Sequence, residues 1–369
     1  MRSTFAEINL SSLIHNYINI RKKVKNRKVM AVVKADAYGH GAVEAVKTYE
    51  SLGSSSPEWY GVALTEEGIE LRKAKVTKKP ILTFSPFQYD ELDEYRRYNI
   101  TPSLSAFEQL EQIKLKKLKN VLKVHVNIDS GMGRMGVRFD EAVKFFSALT
   151  AIKNIEVIGI YTHFATSDER DKRFAKLQLQ RFNSVLALLK EAAFSYGIVH
   201  AANSGAILDL EDAYFDMVRP GISLYGYYPS LQTKGTIKLK PVMSLISKVS
   251  EIREIKKGES VSYGRKFIAK ENITTAAVPI GYADGVNRNL TNKIHGIIRN
   301  KKFEQIGRVT MDRIIFNVTN SKVQVGDKII LFGENKLSID AWTWSSILKT
   351  IPYEITCNIS KRVPRIFIK

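Results

Sequence analysis

The sequence predicts an α/β protein in two parts, an N-terminal parallel (β/α)8 barrel and a C-terminal, mostly antiparallel β domain. Three observations favour this division. Strand-like apolar runs alternate with amphipathic helical patterns up to about residue 230, with a steady period of roughly 25–35 residues. Eight such runs are present, which is the number that closes a parallel barrel. Past Pro229 the alternation stops, and short β-rich runs separated by turns follow.

The predicted barrel strands are short apolar runs, as expected for parallel strands that are buried on both faces. They cover residues 29–34, 59–64, 80–84, 100–104, 122–128, 156–162, 198–202 and 217–222. Helical patterns lie between them, the clearest at 66–74, 139–150 and 171–195. We therefore expect the barrel to occupy residues 10–230.

The remaining residues, 231–369, have the sequence pattern of a β domain. Turn-forming segments at 256–259, 299–302 and 325–327 separate strand-like runs, and one short helix is predicted near 338–348. We expect residues 1–9 to pair with this domain.

Composition and the chain ends predict a cytoplasmic protein with no membrane partner. No apolar stretch approaches the roughly 20 residues that span a bilayer. The N-terminus lacks the apolar core and small-residue cleavage site of a signal peptide. The single cysteine, Cys357, cannot form an internal disulfide, which fits a reducing compartment. Its strand-like neighbours predict a packed thiol.

The net charge of +20, from 57 lysines and arginines against 37 acids, raises the question of nucleic-acid binding. The basic residues are spread along the chain, however, and the sequence has no zinc-finger spacing, no glycine-and-aromatic RNA-binding signature and no basic arm. We interpret the charge as a lysine-rich surface, and predict neither a nucleic-acid partner nor a metal site.

Candidate functional residues cluster at the ends of the predicted strands, where barrel enzymes carry out their chemistry. Lys34 ends the first strand, Asp129-Ser-Gly-Met-Gly-Arg134 follows the fifth, and His163 ends the sixth. Asn203-Ser204-Gly205 ends the seventh, and Arg219-Pro-Gly-Ile222 lies in the eighth. Each segment alone would fit a turn or a helix cap, but five of them on one rim indicate a single site.

The chemistry of these residues points to a Schiff base and a phosphate. Partial desolvation at a strand end lowers the pKa of an amine such as Lys34 and leaves it free to form a Schiff base. The Ser204 hydroxyl and the backbone at Gly221 and Ile222 offer donors suited to a phosphate, with a helix N-terminus predicted beside them. The Arg219 guanidinium can donate a hydrogen bond but not release its proton, so a basic nitrogen of a ligand facing it stays unprotonated.

Residues 29–41, Val-Met-Ala-Val-Val-Lys-Ala-Asp-Ala-Tyr-Gly-His-Gly, resemble the lysine motif by which alanine racemases bind pyridoxal 5′-phosphate (PLP). Four further blocks resemble that family in its own order, namely Arg219-Pro-Gly-Ile222, Pro279–Gly285, Gly307–Asp312 and Ile351–Glu354. The resemblance extends from residue 5 to the end of the chain. It implies a PLP-dependent enzyme that interconverts L-alanine and D-alanine and supplies D-alanine for peptidoglycan.

The resemblance also implies a role for individual residues. Lys34 and Tyr263 would be the two bases, taking the α-proton of D-alanine and of L-alanine respectively. Arg134 and the backbone N–H of Met311 would bind the substrate carboxylate, and Tyr282 would line the entrance. The residues expected to bind the cofactor are Lys34, Tyr38, His163, Asn203, Ser204, Arg219, Gly221, Ile222 and Tyr353.

Racemisation requires a second base because a single base on one face of Cα cannot readily return a proton to the other. Tyr263 lies in the C-terminal domain, and a tyrosine with an ordinary pKa near 10 acts as a base only where positive groups favour the phenolate. His163, Arg219 or the cofactor ring would supply that field, and His163 would hold the tyrosine. The resemblance implies a homodimer, in which Lys34 and Arg134 come from one chain and Tyr263 from the other.

One position departs from the family pattern. Many alanine racemases carry a carbamylated lysine two residues before the aspartate of the Asp-Ser/Thr-Gly-Met-Gly-Arg motif, where it orients the carboxylate-binding arginine. This chain has the uncharged Asn127 there. Either a small anion such as chloride completes the site, or Arg134 is held more loosely. The substitution therefore concerns substrate affinity rather than the reaction itself.

Other functions remain open at this stage. A serine or broad-specificity racemase is the nearest alternative, and a diamino-acid decarboxylase with the same barrel is more remote. A PLP-binding barrel protein without turnover would lack the domain that carries Tyr263. A polyanion binder would show salt-dependent retention on DNA and no absorbance from bound PLP, so a visible spectrum separates these classes.

Overall fold

The computed structural model describes residues 3–115, 118, 120–233 and 235–369. The strands of its first part are β1 (Phe5–Asn9), β2 (Lys28–Val32), β3 (Trp59–Val62), β4 (Ile81–Pro86), β5 (Ile100–Leu104), β6 (Leu122–Asp129), β7 (Val137–Arg138), β8 (Ile155–Tyr161), β9 (Ile198–His200) and β10 (Met217–Val218). Within the described residues, eight of them pair in parallel in the order β5-β4-β3-β2-β10-β9-β8-β6, and β6 pairs back with β5. The barrel is therefore closed, and the predicted TIM-type fold is confirmed.

Helical segments lie before the first barrel strand and between the later ones. They are α1 (Leu10–Val24), α2 (Lys34–Gly39), α3 (Ala42–Glu50), α4 (Thr65–Lys73), α5 (Leu92–Arg97), α6 (Phe107–Leu115), α7 (Ala142–Thr150), α8 (Arg173–Glu191) and α9 (Ser204–Asp209). The three helices predicted most clearly correspond to α4, α7 and α8. Along α8 the buried residues recur at helical spacing, and Gln178 is the polar member of that buried face. No described helix combines the length and hydropathy needed to cross a bilayer.

The interior of the barrel contains both apolar and polar side chains. Its apolar cluster consists of Met30, Trp59, Leu82, Tyr161 and Met217. The rings of His125 and His200 are fully buried beside this cluster. A Cβ at Gly159 would overlap the ring of His125, so the glycine makes room for that histidine.

The C-terminal part forms the second sheet. Its strands are β11 (Met243–Lys248), β12 (Glu251–Ile255), β13 (Ser260–Val261), β14 (Phe267–Ile268), β15 (Ile273–Val278), β16 (His295–Ile298), β17 (Lys301–Ile306), β18 (Ile314–Asn317), β19 (Lys328–Phe332) and β20 (Arg365–Ile368). The main sheet has the order β12-β15-β18-β17-β16-β19-β11-β1-β20, and its pairs are antiparallel except for β1 with β20. The predicted antiparallel domain is confirmed, and the N-terminal strand β1 is part of its sheet.

The last helices differ from the prediction. Where the sequence predicts one helix near 338–348, the structure has α10 (Ala341–Leu348) and then α11 (Pro352–Cys357). Pro352 occupies the first turn of α11, where its missing N–H costs nothing. The predicted packing of Cys357 in a strand is wrong, because Cys357 ends α11 and is exposed while Ile355 and Thr356 take the buried face.

Candidate active site

A cavity of about 170 Å³ lies at the C-terminal ends of the barrel strands. Among the residues that line it are Lys34, Tyr38, Arg134, His163, Asn203, Ser204, Arg219, Gly221, Ile222 and Tyr353. The barrel supplies all of them except Tyr353, which comes from α11. Asp168, which the sequence analysis did not single out, lines the same cavity. The rim residues predicted from separate strands therefore form one site.

The residues after Lys34 form a turn of left-handed helix. The φ angles are +51°, +52°, +54° and +55° for Ala35, Asp36, Ala37 and Tyr38. Such backbone costs a non-glycine residue roughly 1–2 kcal/mol, so side-chain contacts must hold it. The Glu67 carboxylate accepts from the N–H of Ala35 at 2.6 Å, and the Asp36 carboxylate accepts from the N–H of Ala42 at 2.7 Å. The turn keeps both Lys34 and Tyr38 on the cavity.

The environment of Lys34 favours its neutral form. Burial lowers the pKa of Lys34, and the charge of Arg134 lowers it further. Glu67 opposes this effect, and Arg219 reinforces it. Because only the unprotonated amine attacks a carbonyl, a lowered pKa increases the reactive fraction near neutral pH.

The opposite end of the cavity is rich in hydroxyl groups. Ser204 Oγ accepts from the N–H of Gly221 at 2.9 Å and lies 3.0 Å from Ser223 Oγ. Asn203 caps α9 through its side chain, which accepts from a backbone N–H three residues on. A Cβ at Gly221 would overlap the Tyr38 hydroxyl. Gly221 therefore makes room for the Tyr38 hydroxyl. The hydroxyls of Tyr38 and Ser204 line the cavity, where they can donate hydrogen bonds to an anion.

Arg219 is buried and held by four acceptors. It donates to His200 Nδ1 at 2.9 Å, to the carbonyls of Thr162 and Ala201 at 2.8 and 3.0 Å, and to His163 Nδ1 at 3.4 Å. Burial lowers the pKa of Arg219 to about 10, so its guanidinium is still protonated at neutral pH. These contacts fix the guanidinium in one orientation at the base of the cavity.

The histidines behind Arg219 were missed by the sequence analysis. His200 accepts from Arg219 at Nδ1, so its Nε2 carries the proton and donates to His125 Nδ1 at 2.8 Å. Burial lowers the pKa of His125 to about 3 and that of His200 well below its usual value. Both rings are therefore neutral at pH 7. The available signal was a histidine inside each of two predicted strands, 122–128 and 198–202.

His163 is also neutral. Its Nδ1 faces the guanidinium of Arg219, which only donates, so Nδ1 is an acceptor. Burial lowers the pKa of His163, and the charges of Arg219 and Arg134 lower it further. The positive charge at the cavity therefore comes from Arg134 and Arg219 rather than from His163.

The position that departs from the family pattern has a backbone contact. Asn127 Nδ2 donates to the carbonyl of Met135 at 3.2 Å. Asp129 accepts from the N–H groups of Gly131 and Gly133 at 2.8 and 3.1 Å. The backbone on both sides of Arg134 is thus held, while the Arg134 side chain is exposed.

The remaining predicted site residues line a second, larger cavity of about 1590 Å³ on the β domain. Tyr263 is 71% exposed there, and Tyr282 and Met311 are exposed beside it. The N–H groups of Tyr282 and Ala283 donate to the carbonyls of Thr310 and Met311, which fixes the two segments together. Within the chain, Tyr263 and Lys34 therefore line different cavities.

The closed barrel, with a desolvated lysine in a cavity at its strand ends, defines a class, the (β/α)8-barrel enzymes. Comparison with known families identifies the member of that class. The alanine racemase N-terminal domain matches residues 8–229, and the alanine racemase C-terminal domain matches residues 242–367. The chain belongs to the alanine racemase family.

Individual relatives agree along the whole chain. Alanine racemase 2 of Caldanaerobacter subterraneus subsp. tengcongensis is 42% identical, with 100% of this chain and 95% of the relative covered. Alanine racemase of Clostridium tetani is 40% identical, with 100% and 96% covered. The structure of the Clostridium difficile alanine racemase has a TM-score of 0.93 at 38% identity, again covering 100% and 96%. That of Bacillus anthracis with bound L-Ala-P has a TM-score of 0.94 at 34% identity, with the same coverage.

Proposed function

We propose that this chain interconverts L-alanine and D-alanine with PLP as its cofactor, and so supplies D-alanine for peptidoglycan. The observation that carries this proposal is the Lys34 amine, whose pKa is lowered by burial, in one cavity with Ser204 and Arg219. Membership of the alanine racemase family supports the same reaction.

The residues of the cavity fit PLP. Lys34 offers the amine that would bind the cofactor's aldehyde carbon. The hydroxyls of Ser204 and Tyr38, both close to Gly221, are donors for a phosphate. Tyr353 lines the same cavity, and its ring lies 5.8 Å from that of Tyr38. Asn203 and Ile222 complete the proposed cofactor site.

The chemistry that PLP supplies when bound is withdrawal of electrons from the substrate Cα, which acidifies the Cα proton. Arg219 would tune that withdrawal, because it can donate a hydrogen bond but keeps its own proton at neutral pH. It would therefore keep the pyridine nitrogen of bound PLP unprotonated. A weaker electron sink favours return of the proton at Cα over transamination or decarboxylation.

Two bases would move that proton, one on each face of Cα. Lys34 takes the proton of D-alanine, and Tyr263 takes that of L-alanine. Since Tyr263 is exposed on the cavity of the β domain, it acts in the site of a partner protomer, and the working enzyme is a homodimer. The charges of Arg219 and Arg134 favour the phenolate there, and neutral His163 orients it.

The substrate carboxylate would be bound by the guanidinium of Arg134 and the backbone N–H of Met311, with Tyr282 at the entrance. Asn127 contributes through its bond to the Met135 carbonyl. We assign the barrel to residues 10–230 and the β domain to residues 231–369 together with 1–9. A single cysteine suits the reducing cytoplasm.

The test is a comparison of Lys34→Ala with Lys114→Ala, which removes an exposed lysine. With PLP added, Lys34→Ala should lose the visible absorbance of bound cofactor. Its racemisation, followed by circular dichroism of alanine, should fall by about 10²–10⁴ or more because anchor and base are lost together. Lys114→Ala should match the wild type. A Lys34→Ala enzyme that racemises at a near-wild-type rate would refute the assignment.

A further inference from the structure

The loop that carries Arg134 is anchored at its first residue. Ser130 follows β6 and is fully buried. Its hydroxyl lies 2.7 Å from Thr162 Oγ1, and its carbonyl accepts from Arg181 of α8 at 3.1 Å. The Asp129 carboxylate then accepts from the N–H of the glycine immediately before Arg134. The start of the loop is thus tied to the neighbouring strand end and to a helix.

The protons of this network can be assigned from its contacts. Thr162 Oγ1 lies 2.8 Å from the carbonyl of Ile128. Because a carbonyl only accepts, the Thr162 hydroxyl donates its single proton to it. Ser130 must therefore donate to Thr162. Gln178 Nε2 lies 3.5 Å from Ser130 Oγ and is the donor in that longer contact. Each group thus donates to the next, from the Gln178 amide to Ser130, from Ser130 to Thr162, and from Thr162 to the Ile128 carbonyl.

Gln178 is itself fixed in orientation. It is fully buried on α8, donates to the carbonyl of His163 at 3.0 Å and accepts from the N–H of Ala165 at 2.9 Å. If the amide were reversed, its oxygen would face the His163 carbonyl and its NH2 group would face the Ala165 N–H, and neither hydrogen bond could form. Gln178 therefore connects the Arg134 loop to the segment that follows β8, where His163 lies.

We propose that Ser130, Thr162 and Gln178 form a neutral positioning network that holds the Arg134 loop in the geometry that binds the substrate carboxylate. All three side chains are buried, and none carries a charge. Asn127 carries no charge and contacts the loop through one hydrogen bond to a backbone carbonyl. The buried Ser130–Thr162 hydrogen bond holds the start of the same loop. The inference rests on the proposed role of Arg134 and adds residues that set substrate affinity.

The test uses a pair of substitutions at one position. Thr162→Val keeps the shape but removes the hydroxyl, while Thr162→Ser keeps the hydroxyl. Losing one buried neutral hydrogen bond should raise KM for both alanine enantiomers by about 3- to 10-fold, with kcat within about twofold. Thr162→Ser should restore a near-wild-type KM. Ser184→Ala, on the exposed side of α8, is the matched control and should change neither constant.

A second readout does not depend on turnover. Propionate carries the carboxylate but no amine, and its affinity, measured by NMR titration, should weaken in Thr162→Val by the same factor as KM. The visible absorbance of bound PLP should not change. Two results for Thr162→Val would overturn the proposal. One is a lowered melting temperature with unchanged KM and propionate affinity, which would mean a purely structural role. The other is a fall in kcat alone. A wild-type protein without racemase activity would count against the proposed function, and the propionate titration would still decide this inference.

Discussion

Mixing two inactive variants tests the proposed shared site quantitatively. Lys34 and Tyr263 line different cavities of one protomer, so each site of a homodimer would combine Lys34 of one chain with Tyr263 of the other. After random exchange between Lys34→Ala and Tyr263→Phe chains, about half of the dimers are mixed, and each has one intact site of two. Activity should rise to about a quarter of the wild-type level. Either variant alone should stay below about a hundredth.

The assay is the initial rate of L-alanine racemisation by circular dichroism, with subunit exchange verified by native mass spectrometry. The control mixes the wild type with the double variant, Lys34→Ala with Tyr263→Phe in one chain. Its mixed dimers contain no intact site, so activity should fall from about a half to about a quarter of the wild-type value. No recovery after verified exchange, or a fully active monomer by light scattering, would refute the reasoning.

Two further predictions concern the bases and the buried histidines. In Tyr263→Ala in D2O, Lys34 should still exchange the α-proton of D-alanine, while exchange from L-alanine falls by about 10²–10⁴; equal loss from both enantiomers, measured by NMR, would contradict two bases. Burial lowers the pKa of His125 from 6.5 to about 3. The unfolded chain therefore binds a proton that the folded chain does not, and the unfolding free energy should fall below pH 6.5, by about 2 kcal/mol for this histidine at pH 5. Urea unfolding at pH 7.5 and pH 5 measures this fall in unfolding free energy. In His125→Asn the fall should be smaller by about 2 kcal/mol. An equally large fall in the variant would contradict a buried, neutral His125.

The barrel was predictable because its physical requirement is repeated in the sequence. Parallel strands are buried on both faces, so each appears as a short apolar run, and the helices between them keep the runs at a steady spacing. The helix α11 was not predictable in this way. Its six residues contain too few turns for a helical period, and its burial depends on contacts with α2. The exposure of Cys357 follows from that helix.

The rim residues were predictable because a barrel brings every strand end to one face. The left-handed turn after Lys34 was not. Alanine and tyrosine have no local preference for that backbone. Distant contacts impose it, with Glu67 bound to the turn and Gly39 so close to Thr356 that a Cβ would overlap its carbonyl. Similarly, the His125–His200 contact requires two strands that do not pair with each other, β6 and β9, to turn their histidines into the interior.

The charges of the cavity connect its energetics to the proposed ligands. Two arginines, Arg134 and Arg219, line it together with Lys34, against the single carboxylate of Asp168 among the described lining residues. The repulsion from both arginines contributes to the lowered pKa of Lys34. His163, neutral through burial, adds no charge. A ligand pair that brings a phosphate and a carboxylate would balance this excess at two separate points. Arg134 and Arg219 would thus keep the lysine amine reactive before binding, and Arg134 would stabilise the bound carboxylate afterwards.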